Sequence, residues 1–163
     1  MQRNLRHRIL RTLSDCTGAN LVEAALITPL LLTLTFGLID FATLFYTYLA
    51  LENGVSQASR FAVTGNQMAN PNGGGNLSRE QALMSAMRNA TPTLALDDGQ
   101  FQFSHIPAGG SAPVGGVGGP NDVGIVTVTY TWTPVTPILR PFLTNGQIVM
   151  KVDSAMKNEG RFN

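Results

Sequence analysis

Hydrophobic and polar positions divide the chain sharply. From Ala24 to Ile39 runs AALITPLLLTLTFGLI, with no charged residue, and beyond Asp40 the apolar character resumes as FATLFYTYLAL. As a helix, Leu21 to Leu51 would be about 45 Å long at 1.5 Å per residue, against a hydrocarbon core of about 30 Å. The run is apolar on every face, which suits lipid better than the core of a small domain. It is too long for the apolar region of a cleaved secretory signal, and no A-x-A site follows it. Val55, Ala58 and Ala62 continue a helical period to about Val63. The small residues Gly54, Ser56, Ala58 and Ser59 form a face for close packing, more simply against the chain's own domain than against a partner.

The pattern then becomes that of a small mixed domain. Asn66 to Asn76 is a polar, glycine-rich loop. Ser78 with Gln81 forms a capping box that starts a second helix through Leu83, Met84 and Met87, ending before Pro92. Beyond it the period falls to two. Phe101 and Phe103 alternate with polar residues, and Val126, Val128, Tyr130 and Trp132 alternate with Thr127, Thr129 and Thr131. A last strand places Ile148, Met150 and Val152 inward, with Lys151 and Asp153 outward. Pro107 to Asn121, with six glycines and three prolines, reads as a long flexible loop. The expected fold class is α+β. A long N-terminal transmembrane helix extends into a small extracytoplasmic domain with a second helix and an antiparallel sheet of about three strands. The divisions are residues 1–18, a basic cytoplasmic leader; 19–51, the transmembrane helix; and 52–163, the domain.

Charge fixes the expected orientation. Charged residues make up 13% of the 163 and the net charge is +1, against about 25% charged residues in a usual soluble protein. Arg3, Arg6, Arg8 and Arg11 face only Asp15 before the apolar run, whereas Glu52 onward holds seven basic and seven acidic residues. A basic leader keeps the N-terminus cytoplasmic and sends the domain outward. Tyr46 and Tyr48 lie where interfacial anchors are expected. The balanced domain gives no reason to expect nucleic acid as a partner.

Chemistry is sparse. Cys16 is the single cysteine, so no internal disulfide forms. Asp15 beside it, and the lack of a preceding apolar run, argue against a lipidation site. Gly73-Gly74-Gly75 lacks the following Lys-Ser/Thr of a phosphate loop. His7 lies in the leader and His105 stands alone at a strand end. Asp97-Asp98-Gly99 makes a turn more simply than a weak cation site. No constellation supports an enzyme, a cofactor, a metal or a small-molecule substrate. Within the apolar run, Glu23 and Asp40 need explanation, because a charge at the bilayer centre costs about 2.5–3.5 kcal/mol on insertion scales. Asp40 is placed most simply near the outer interface, and Glu23 as an early-helix acid near the inner headgroups. Pro29 removes one helix hydrogen bond, which transmembrane helices tolerate.

Gly18-Ala19-Asn20-Leu21-Val22-Glu23 sits at the mouth of the apolar run and resembles a type IV prepilin cleavage site. The longer segment LVEAALITPLLLTLTFGLIDFATLFYTYLALENGVSQASRFAVTG resembles the TadE-like family, minor pseudopilins of the tight-adherence (Flp pilus) system. Phe36-Gly37, Asp40-Phe41 and Arg60-Phe61-Ala62 take the family's positions, and Gly146 to Glu159 resembles its closing strand. The clear likeness covers residues 18 to 65. It implies cutting by a prepilin peptidase between Gly18 and Ala19, with the helix retained on the mature chain. It implies a structural role in pilus assembly or secretion, with Glu23, Pro29 and Asp40 in helix pairing. The implied partners are membrane lipid, the peptidase, other pilin-like subunits and the inner-membrane secretion platform. The implied location is the bacterial inner membrane, with the domain in the periplasm, or the pilus itself. An uncleaved, single-pass accessory or binding protein of the envelope is the alternative. Its loops 66–76 and 107–121 would then hold a ligand.

Overall fold

The computed structural model describes residues 17–160. Arg3, Arg6, His7, Arg8, Arg11, Asp15 and Cys16 lie outside the described residues. One unbroken helix, α1, runs from Thr17–Val63, 47 residues, about 70 Å at 1.5 Å per residue. It has two unlike halves. Every residue from Gly18 to Ile39 is exposed except the half-buried Gly37. From Asp40 a buried stripe begins, through Thr47, Leu51, Val55, Ala58 and Ala62. Those spacings of three, four and seven put one face of the helix against the domain.

Helix α2, Arg79–Ala90, packs on this stripe in the opposite direction. The Ser78 hydroxyl accepts from the Gln81 N–H, and the Gln81 side chain accepts from the Ser78 N–H. Such a cap contributes about 1 kcal/mol. The expected capping box is therefore present, and the helix ends just before Thr91 and Pro92. Close contact needs Gly54, where a Cβ would lie 2.6 Å from the Thr91 methyl and 3.2 Å from Met87. The small-residue face thus serves the chain's own domain.

The sheet comprises β1 (Phe101–Ile106), β2 (Val114–Gly115), β3 (Val123–Trp132) and β4 (Ile148–Lys157), antiparallel in the order β2-β1-β3-β4. Three strands follow the sequence pattern. The fourth, β2, is two residues inside the glycine-rich loop, too short to leave a periodic trace. Register sets Val128 opposite both Phe101 and Val152, and Trp132 opposite Ile148. Val126, Val128, Trp132, Met150 and Val152 meet Leu51, Val55, Ala58, Met87 and Leu96 in one core. Each fully buried large apolar side chain there contributes about 1.5–3 kcal/mol. The outer half of α1 is therefore the spine of the domain.

Two ends of the domain can be told apart. At the far end, the Glu159 N–H donates to the Val63 carbonyl and Arg79 donates to that of Ala62. At the near end, the loop 133–147 between β3 and β4 reaches Asp40.

Candidate membrane anchor and processing segment

The exposed half of α1 is a cylinder of leucine, isoleucine, valine and phenylalanine. Leu21, Leu26, Leu30, Leu34 and Leu38 are each more than 60% exposed. Gly18 to Ile39 is about 33 Å long at 1.5 Å per residue, slightly more than the hydrocarbon core. Pro29 sits within this stretch without ending the helix. Thr33 donates to the Pro29 carbonyl and Thr35 to that of Leu31, each at 2.8 Å, whereas the carbonyl that Pro29 leaves without its helix donor is that of Ala25. Both hydroxyls are satisfied within the helix, although both side chains are exposed.

Gly18 and Ala19 lie in the first turn, exposed. A Cβ built on Gly18 meets nothing within 4 Å. Packing among the described residues thus gives no reason for glycine there, although glycine costs a helix about 1 kcal/mol relative to alanine. Glu23 is exposed, one turn beyond Ala19.

Asp40 behaves differently from Glu23. It has no exposed surface, and it accepts from the Thr136 N–H at 3.0 Å and from the Thr136 hydroxyl. The carboxylate is thus held by loop 133–147 of its own domain. Thr136 was invisible in the sequence, because the two residues stand 96 positions apart and no short motif links them. Tyr46 is 55% exposed and shares a hydrogen bond with Thr93 at 2.9 Å, about 9 Å beyond Asp40 along the helix. Tyr48 donates to Glu52 at 2.9 Å.

The far end carries a polar cluster. Asp122 accepts from the Ala108 N–H at 2.8 Å and the Gly119 N–H at 2.7 Å, with His105 Nε2 at 3.9 Å. The Gly119 and then the Ala108 bond hold its carboxyl below the usual 3.8. Arg79 donates to the Gly118 carbonyl at 2.8 Å. These groups pin the loop 107–121, which the sequence suggested was flexible. His105 is a partly buried strand-end residue whose Nδ1 lies 3.1 Å from the Gly116 carbonyl. Gly118 has φ of 70°, and a Cβ there would strike His105 at 2.7 Å. Among the described residues, no three His, Cys, Asp or Glu side chains converge as a metal site would need. Asp98 pairs with Arg88 in an exposed bridge.

Architecture and surface together define a protein in which one helix among the described residues, α1, is long and apolar enough to cross a bilayer, with an α+β domain on the continuation of that helix. The segment is TadE-like: residues 18–60 match the model of the family described as TadE-like protein. The likeness is to membrane proteins associated with Tad/Flp pili, structural components rather than enzymes. No curated protein and no solved structure matches the chain.

Proposed function

We propose that this protein is a TadE-like minor pseudopilin, a structural component for assembly of Flp-type pili or for tight-adherence secretion, processed between Gly18 and Ala19 by a prepilin peptidase. The observation that carries the reading is the coincidence at Gly18. The family match begins there, and nothing among the described residues packs against that position so as to need glycine. A peptide-binding protease site is the kind of partner that does need a residue without a side chain. In this reading the chain lies in the bacterial inner membrane, N-terminus cytoplasmic and domain periplasmic, and meets other pilin-like subunits and the secretion platform.

Cutting would leave the Ala19 amine positively charged at neutral pH, one helical turn from Glu23. The two charges offset the cost of placing either in the membrane, within one subunit or between neighbours. Glu23 is exposed and free to face a second helix. Asp40 is given over to Thr136, so pairing between subunits falls to Glu23 and to the apolar surface around Pro29. The intact mass of the membrane-extracted protein, from cells with the matching peptidase, tests this. A chain starting at Ala19, and at Met1 in Gly18→Phe, supports processing. A Met1 start in both leaves the uncleaved, single-pass envelope protein.

A further inference from the structure

The near end of the domain is unlike the far end. Around Asp40 charged side chains are few. Loop 133–147 has one charged residue, Arg140, and four prolines and aromatics stand among its apolar side chains: Pro134, Pro137, Pro141 and Phe142. Phe142 is 82% exposed, more than any other large apolar side chain among the described residues, and Val135 is 64% exposed. Free motion does not account for this exposure. The Phe142 N–H donates to the Leu139 carbonyl at 3.0 Å, Leu143 N–H to Arg140 at 3.2 Å, and Arg140 Nη2 to the Pro134 carbonyl at 3.2 Å. Leu143 packs onto the core behind it. The loop is built to hold Phe142 outward.

Position says what it faces. Thr136 ties this loop to Asp40, the residue at which the all-round apolar surface of α1 ends. At the same level Phe41 and Phe45 are 56% and 58% exposed, with ring centroids 5.9 Å apart. Exposed apolar side chains therefore stand both on the helix at Asp40 and on the loop tied to it. The Arg79–Asp122–His105 cluster lies at the opposite end, near Val63, about 35 Å away along the helix. Aromatic and apolar side chains with an arginine, at the end of a membrane helix, match the chemistry of a bilayer interface.

We infer that loop 133–147 seats the domain on the outer leaflet of the bilayer that α1 crosses, with Val135 and Phe142 entering the headgroup and upper acyl region and Arg140 reaching lipid phosphate. Asp40 is then kept from lipid by Thr136 at the membrane boundary. The inference rests on the reading of α1 as a membrane span, and its test separates the two.

The full chain, with Cys16→Ser, is placed in vesicles of phosphatidylethanolamine and phosphatidylglycerol. A nitroxide is attached in turn at Leu31→Cys, Phe142→Cys and Asn72→Cys. Collision with oxygen, which partitions into lipid, is compared with collision with a water-soluble nickel chelate. All three positions are exposed, so the labels leave the fold in place. The expected result is lipid character at 31, water at 72, and at 142 an oxygen preference between the two but clearly above 72. Lipid at 31 with water at 142 overturns the seating and leaves the span standing. Water at 31 overturns both. A label at 142 shielded from both probes places a protein neighbour there and overturns the lipid assignment.

Discussion

A carboxylate with no exposed surface needs a donor for each oxygen, and Asp40 takes both from Thr136. Asp40→Ala removes the acceptor and strands a buried N–H and hydroxyl, a loss of about 1–3 kcal/mol. Asp40→Asn keeps one acceptor and should fall between the two. Thermal unfolding in detergent, followed by the near-ultraviolet signal of buried Trp132, reads the order wild type, Asn, Ala; equal midpoints would remove the structural role given to this pair. A second carboxylate responds to acid. The backbone bonds of Asp122 hold its folded-state pKa below the ordinary value of 3.8. Its stabilisation is therefore complete above that value and disappears as pH falls through the lower folded one. Asp122→Asn should lower stability at pH 7 and weaken its dependence on pH below about 4, measured by urea unfolding across that range.

At the scale of the element, two glycines in the same helix predict opposite outcomes. A Cβ at Gly54 collides with Thr91 and Met87, whereas one at Gly37 meets nothing within 4 Å. Gly54→Ala should cost about 1–3 kcal/mol by separating α1 from α2. Gly37→Ala should be neutral or gain up to about 1 kcal/mol through helix propensity. Midpoints of thermal unfolding for the two variants, side by side, decide this. Elements carried by local rules were legible in the chain. The capping box at Ser78 and Gln81, the stop at Pro92 and the Thr alternation of β3 each depend on neighbours a few residues apart. Long-range partnerships were not. The bond from Thr136 to Asp40 and the reach of Asp122 back to Ala108 join residues far apart in sequence, and β2 is specified by pairing with Ser104 and His105 rather than by any pattern of its own. The glycine-rich run 107–121 looked loose because composition cannot show the partly exposed Asp122 carboxylate that gathers it.

For the whole molecule, the junction between anchor and domain is the useful quantity. Helical packing begins at Asp40, twelve positions before the boundary at 52 that hydropathy suggested, because an apolar stripe facing a domain and one facing lipid look alike in sequence. A chain beginning at residue 38 retains Asp40, Leu44, Thr47 and Leu51 and should fold. One beginning at Glu52 loses the partly buried Leu44 and the fully buried Leu51, the latter worth about 2–5 kcal/mol, out of a total of about 5–15 kcal/mol. Cooperative urea unfolding of the longer fragment and its absence in the shorter one is the expected result; two well-folded fragments would mean that the sheet and α2 stand without the lower spine.

The absence of any break in α1 between Gly18 and Val63 has a mechanical consequence. A hinge would let anchor and domain swivel, so that a tug on one dissipates in bending. A stiff rod transmits it. Traction along the rod loads the sheet and α2 sideways, in shear, along the whole stripe from Asp40 to Ala62 at once, and interlocked side chains resist sliding far better than peeling. Drawn along the axis of α1, the head is loaded in shear across that stripe rather than peeled from one end.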